Sequence, residues 1–272
     1  MARARLWGAR RGETGSPEDL PALPDRQDDP LLQGWYHTIE FPGGLVSRGN
    51  FDHRKIVGRY GIPASLKGKT VLDVGAADGY FSFEMEKRGA SRVVALDVPG
   101  IEDCDWTAPM HSRVAAQIGT PPPWTTHFLL ARHWLGSKVE RLEINIYDLT
   151  PEAAGKFDVV FCGDVLLHLQ NPLKALTNIC AVTKEMAIVE TVIDPVIEHQ
   201  FPGAPYARFG SRADEVVPGE VNTFWRMNSS GLKDMLEYAG FGDVQPQGTF
   251  ALPPEGTPVT AMIATPGRGG RG

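Results

Sequence analysis

Apolar runs alternate with stretches of helical period from residue 70 onward. TVLDV (70–74) reads as a buried strand, and YFSFEMEKRGA (80–90) follows as a helix ending near Gly89. RVVALDV (92–98) is a second buried strand, RLEINIYDL (141–149) alternates like a third, FDVVFCGDV (157–165) is a fourth and MAIVETVI (186–193) a fifth. Strands alternating with helices predict βαβ units, a parallel sheet and right-handed crossovers. The chain end breaks the pattern. GLKDMLEYAGF (231–241) is a helix stopped by Gly240, and DVQPQGTF and PVTAMIAT follow with no helix between them. Two such strands must be antiparallel neighbours. The expectation is an α/β fold with a seven-stranded, mostly parallel sheet, a terminal antiparallel hairpin and helices on both faces.

Three segments fall outside the alternation. Residues 1–33 are rich in Arg, Pro, Gly and Asp and lack the apolar core of a signal peptide, so they read as a disordered leader, as does the 266–272 tail. Residues 34–265 read as one domain. Within it, 34–66 carries enough aromatic residues to pack over one end as a helical lid, and 99–140 and 195–230 are insertions expected to form the substrate pocket. In the first insertion the triple proline cannot be helical, while WTTHFLLARHWL can form about three turns.

Composition narrows the classes. With 272 residues, 42% of them hydrophobic, the chain can bury a real core, and a net charge of −6 argues against obligatory nucleic-acid binding. Three widely spaced cysteines (Cys104, Cys162, Cys180) form neither a disulfide framework nor a zinc pattern, which points to a reducing cytoplasm. No apolar run is long enough to span a bilayer.

The turn after the first strand carries the first chemical signal. Asp73, Gly75 and Gly79 give D-x-G-x-x-x-G at the place where open α/β sheets bind ligands. A dinucleotide fingerprint needs G-x-G-x-x-G. Here the G-x-G pair is missing and Ala77 stands where a close pyrophosphate wants glycine, which counts against NAD or FAD. Asp97 ends the second strand about twenty residues on, suited to accept hydrogen bonds from two ribose hydroxyls. Asp148 ends the third predicted strand, where it could fix an adenine amino group.

These acids and glycines, in this order, resemble the pattern of class I S-adenosylmethionine (SAM) methyltransferases. WYHTIEFPGG…FDHR, LDVGAADGYFSFEMEKRGASRVVALD, IYDLTPEAAGKFDVVFCGDVLLHLQNPLKAL and NTFWRMNSSGLKDMLEYAGF look like successive blocks of the tRNA 5-methoxyuridine (wobble uridine) methyltransferase-like family, over roughly residues 34–245. The resemblance implies a Rossmann-like class I fold, SAM as cofactor and S-adenosylhomocysteine as product. It implies a cofactor site at Asp73, Gly75, Ala76, Ala77, Gly79, Asp97, Val98, Tyr147, Asp148, Leu149 and Gly163. One branch of the family uses carboxy-SAM, whose extra carboxylate wants a cation; Arg208, Arg212 and Arg226 stand in suitable loops, and ordinary SAM is the default. Relatives that act on tRNA bring basic surface. This chain is acidic, so a small-molecule acceptor is expected, with tRNA as the rival partner, an inactive SAM-binding scaffold as a further alternative, no membrane, and a monomer or homodimer.

Transfer of a methyl group to a hydroxyl or phenol calls for positioning, exclusion of water and a base near neutral pKa, which points to histidine. His168 follows the fourth strand in CGDVLLHLQNP, with Asp164 four residues earlier able to orient it; His37 in WYHTIEF is the second candidate. Trp35, Tyr36, Asn222, Trp225 and Arg226 are candidate acceptor contacts, flat aromatic walls suiting an aromatic substrate. His127 and His133 read as packing residues of their own insertion. No metal is expected, since Asp164 and His168 alone make a poor ligand set.

Overall fold

The computed structural model describes residues 5–7, 20–100, 103–107, 123–210 and 223–267. Its first half contains β1 (Arg5–Trp7), β2 (Gln33–His37), β3 (Arg48–Phe51), β4 (Thr70–Val74), α1 (Tyr80–Lys87), β5 (Arg92–Asp97), α2 (Pro123–Trp134) and β6 (Glu140–Glu143). The second half contains α3 (Pro151–Ala154), β7 (Phe157–Gly163), α4 (Pro172–Val182), β8 (Thr183–Val192), α5 (Pro195–Gln200) and β9 (Ala207–Phe209). It ends with β10 (Trp225–Met227), α6 (Ser229–Tyr238), β11 (Phe241–Leu252) and β12 (Thr257–Pro266).

The main sheet runs β1-β6-β5-β4-β7-β8-β12-β11. Strands β6, β5, β4, β7 and β8 are parallel, and β12 pairs antiparallel with both β8 and β11. Seven of the sheet's eight strands, β4 to β8 with β11 and β12, realise the expected Rossmann-like class I arrangement with its terminal hairpin. Apolar residues cover both faces. Phe81, Met85, Phe128 and Ala131 from α1 and α2 pack with Trp35, Tyr60 and Phe161 on one face, and Leu176, Ile179, Leu232 and Leu236 from α4 and α6 pack with Val160 and Cys162 on the other. Each such fully buried side chain contributes about 1.5–3 kcal/mol relative to exposure. Capping sets the helix starts: Asn171 accepts from Lys174 N–H ahead of α4, and Asn228 accepts from Gly231 N–H ahead of α6.

The strand order reverses direction at β4. The chain moves from β4 out through β5 and β6, then returns to β7 on the other side of β4. The crevice beyond the carboxyl ends of β4 and β7 is therefore the switch point where such sheets bind ligands.

Three expectations need correction. The third strand stops at Glu143, because the Asn145 side chain accepts from Tyr147 N–H and caps a 3-10 turn over Ile146–Asp148; Asp148 lies in that turn, not at a strand end. The leader is not detached over its whole length. Arg5–Trp7 pairs antiparallel with β6, Trp134 Nε1–H donates to the Pro21 carbonyl at 2.8 Å, and Leu20 and Leu23 pack on the core. The lid over 34–66 is not helical. It is a parallel ribbon of β2 and β3 with 3-10 turns at Pro42–Gly44 and Val57–Tyr60. Gly49 lets the two strands meet, since a Cβ there would lie 2.1 Å from the His37 carbonyl carbon.

Candidate active site

The turn after β4 is held from β5. Gly75 and Ala76 N–H groups donate to the Leu96 carbonyl at 2.9 and 3.1 Å. Asp97, at the end of β5, accepts from Ala77 N–H through Oδ2 (2.7 Å) and from Val98 N–H through Oδ1 (2.8 Å). Gly75, Ala77 and Gly79 all adopt positive φ, at 76°, 49° and 91°. Ala77 is the unusual member, because a residue with a Cβ pays for the left-handed conformation, and the Asp97 bond is what holds it there. The carboxylate keeps lone pairs on both oxygens, so it can fix the turn and still accept from a ligand diol.

Beneath the turn, Asp73 is 2% exposed and accepts from Ser82 Oγ–H of α1 at 2.6 Å. Burial pushes its carboxyl up to about 7. Across the switch point, Gly163 ends β7 and Asp164 follows it. Asp164 takes φ 51°, and its N–H donates to Glu190 Oε2 at 3.1 Å. A Cβ on Gly75 would stand 2.3 Å from Val165 Cγ2, so the two turns are packed against each other.

Asp78 of the same turn reaches the N-terminal ribbon. Its Oδ2 accepts from His37 N–H at 2.7 Å, and its Oδ1 lies 2.5 Å from His37 Nδ1. Asp78 is fully buried and His37 is 5% exposed. A carboxylate only accepts, so Nδ1 carries a proton, and among the described residues Nε2 has no hydrogen-bond partner. Around this pair stand Tyr36, Tyr80, Phe81 and His53, with ring centroids 4.7, 5.5, 5.8 and 5.1 Å from His37. His53 Nδ1 pairs with Tyr60 Oη at 2.9 Å, and burial lowers its pKa to about 3, so it stays neutral. The Tyr36 hydroxyl is pushed up by burial and then by Asp164, Asp78, Glu190 and Asp97, which places it among the carboxylates of the crevice. Asp78 was missed by sequence reasoning. Its only signal was an acid inside the glycine turn, with nothing local to show what it binds.

Other predicted residues separate. Trp35 does not face an acceptor: it is fully buried, donates Nε1–H to the Leu31 carbonyl and stacks on His127 at 4.4 Å. His127 therefore packs against the N-terminal ribbon rather than within its own insertion. Tyr147 Oη–H donates to Asp105 and accepts from Asn171 N–H, fastening residues 103–107 near α4, while Leu149 is buried and Asp148 exposed. His168 lies in the 3-10 turn Leu166–His168, half-buried, and Leu167 O accepts from Phe224 N–H at 2.7 Å. That bond brings Trp225 and Arg226 of β10 up beside His168; Arg226 sits opposite Arg208 of β9. Arg208 pairs with Asp194. Asn222 and Arg212 lie outside the described residues. Two clefts of ≈ 490 and ≈ 500 Å³ open along the outer side of α1, away from this crevice.

A switch-point crevice, a turn held by an acid at the end of β5 and no pyrophosphate spacing leave the chemistry open among nucleoside ligands. A family profile described as methyltransferase domain matches residues 54–245. The chain belongs to this methyltransferase family. Together with the fold, the match makes residues 54–245 a methyltransferase domain of Rossmann-like class I type. The methyltransferase is 27% identical over 188 residues to a tRNA U34 carboxymethyltransferase of Helicobacter acinonychis (strain Sheeba), covering 66% of this chain and 59% of the relative. It is also 27% identical to the Pseudomonas fluorescens (strain Pf0-1) protein of that name, covering 66% of this chain and 48% of the relative. The methyltransferase thus spans only about half the length of these curated relatives. Among solved structures, the N-terminal domain of EvdMO1, crystallised with S-adenosylhomocysteine and D-fucose, superposes with TM-score 0.59 at 16% identity, over 86% of this chain and 92% of that one. An O-methyltransferase family protein from Burkholderia thailandensis superposes with TM-score 0.51 at 16% identity, over 80% and 56%. Both likenesses concern the fold. Among the described residues no helix is long and apolar enough to cross a membrane, and no group of three or more metal-ligating side chains converges.

The residues present suit SAM. Asp97 offers a bidentate acceptor for a ribose diol. Asp164 and Glu190, at the ends of neighbouring strands, offer negative charge to a ligand carrying an ammonium and a sulfonium, and Glu190 Oε1 is a buried acceptor without a partner.

Proposed function

We propose that the protein transfers a methyl group from SAM to an oxygen of a small hydroxylated or phenolic acceptor, with His37 as general base. The observation that carries this reading is the His37–Asp78 pair. Asp78 holds His37 by two bonds, one to the imidazole Nδ1 and one to the backbone N–H, which leaves Nε2 to take a proton. When bound, SAM supplies an electrophilic methyl on a good leaving group. The protein's share is to orient the acceptor, exclude water and take its proton. The aromatic rings packed around His37 suit a small flat acceptor better than a large polyanion. Asp73, Gly75, Ala76, Ala77, Gly79, Asp97, Val98, Tyr147, Asp148, Leu149 and Gly163 remain the proposed donor contacts; Tyr36, Trp225, Arg226, Asn222, His168 and Asp164 remain the proposed acceptor side.

A second reading is modification of tRNA wobble uridine, favoured by the names of the curated relatives. Transfer of labelled methyl from SAM separates the two. Phenolic and hydroxylated acceptors should become labelled, with His37→Ala lowering kcat by about 100-fold, the scale of a lost general base. Labelling of tRNA alone, with a steep salt dependence, would replace the small-molecule reading.

A further inference from the structure

One buried carboxyl at the switch point has no part in that proton transfer. Glu190 lies in register with Gly163 across β7 and β8 and is 1% exposed. Its Oε2 accepts the Asp164 N–H, while its Oε1, equally sealed from solvent, has no hydrogen-bond partner. An ionised carboxyl left in that state is strongly disfavoured, and a group so placed either gains a proton or gains a cation.

Among the described residues, its surroundings offer no cation. Among the same residues, the titratable groups that feel or shift the Glu190 charge are Asp164 just past β7, Cys162 of β7, Tyr36 of β2 and Tyr60 of the Val57–Tyr60 turn. On the other side β12 sets Ala261 opposite, flanked by Thr260 and Met262, and brings no titratable group. Asp73 stands two strands away on β4. Burial first, and then the Asp164 carboxylate, hold the Glu190 carboxyl well above the ordinary range.

We propose that Glu190 senses the charge of the methyl donor: it is protonated in the donor-free protein and ionises when the cationic donor binds, so that the site favours SAM over its uncharged-sulfur product. This rests on the SAM reading above. The proton passes to solvent, the carboxylate keeps the bonding pair, and no other bond changes. SAM brings a sulfonium as well as an ammonium balanced by its carboxylate. S-adenosylhomocysteine lacks the sulfonium, so it gives less reason for Glu190 to ionise, and product release becomes easier than donor release.

The test is calorimetric titration of the whole chain with SAM, and separately with S-adenosylhomocysteine, near pH 7 in phosphate and in Tris, whose ionisation enthalpies differ. The SAM enthalpy should shift between buffers by an amount approaching one released proton, with less than half of that for S-adenosylhomocysteine. The SAM-to-product affinity ratio should rise with pH, by up to about tenfold per unit. In Glu190→Gln both the release and the pH dependence of the ratio should vanish. Equal release with both ligands overturns the proposal, as does release that survives in Glu190→Gln and disappears in Asp73→Asn. If Glu190→Gln does not fold, the wild-type comparison of the two ligands decides alone. SAM binding without proton release overturns the proposal and leaves the donor reading standing; binding of neither ligand overturns the donor reading itself.

Discussion

Around the Gly75–Gly79 turn, the fixed groups other than Asp78 answer to partners on the adjacent strand or the next helix: Ala77 to Asp97, Asp73 to Ser82, Gly75 to Leu96. On the acceptor side the partners lie far apart in the chain. His37 answers to Asp78, and Phe224 to Leu167. The first region is a local construction that any βαβ unit with these residues can make. The second exists only once the N-terminal ribbon and the β9–β10 ribbon have docked on the finished sheet. Donor binding should therefore survive lesions that remove acceptor chemistry, and the reverse should fail.

Asp97→Ala should give the largest effect. It leaves the Ala77 and Val98 N–H groups without their acceptor and removes the proposed diol acceptor; at about 1–3 kcal/mol for each orphaned group, SAM affinity should fall by about 100- to 1,000-fold in calorimetry. A fall below tenfold would mean that the turn is held by packing alone. Asp78→Asn comes next and should split the two regions. It weakens the hold on His37 and disturbs its tautomer, so kcat should drop by about 100-fold while SAM affinity changes by less than about threefold. An equal loss of both would show that the ribbon and the turn are a single unit.

The same contrast explains what the sequence revealed. The β4 strand, its glycine turn and Asp97 were readable because a buried apolar run, glycines needed at positive φ and an acid at a strand end are local signals. The body of α2 followed from its helical period, although Pro123, read as non-helical, opens the helix, as a first-turn proline can; the terminal hairpin followed from two strand-like runs with no helix between them. Trp35 was misread because a tryptophan beside a histidine looks alike whether it lines a pocket or plugs a core. The answer came from Leu31, His127 and Trp134, which contact it from other elements. Asp78 and Glu190 were passed over for the same reason, their partners being set by the docking of β2 and by the pairing of β7 with β8. The third strand ended early for a local reason that was in view, since an asparagine two residues before Tyr147 is a turn former.

Gly75→Ala tests how tightly the two turns at the switch point are joined. The new methyl would stand 2.3 Å from Val165 Cγ2 on a residue at φ 76°, so stability should fall by about 2–3 kcal/mol in urea unfolding. Adding Val165→Ala should restore about half, the part due to the clash, and leave the backbone part. No restoration would locate the whole cost in the backbone.

The smallest effect concerns charge beneath the donor turn. Asp73 is buried with one hydroxyl partner, whereas Asp78 is buried with two donors from His37. Because burial raises the folded-state value of Asp73 to about 7 from 3.8, the folded protein binds this proton more tightly than the unfolded chain does. Its contribution to stability is therefore best at low pH, declines as pH rises through the window from about 4 to 7, and stays at its floor above that. Asparagine keeps an oxygen for the Ser82 hydroxyl and has nothing to titrate. Asp73→Asn should match the wild type near pH 4 and be more stable at pH 8, with the gap opening between about pH 4 and 7, read from urea midpoints across the range. A gap that stays constant with pH would mean that Asp73 remains ionised in the folded protein, held by a cation at the turn. The donor side would then carry no buried-charge cost that the paired acceptor side avoids.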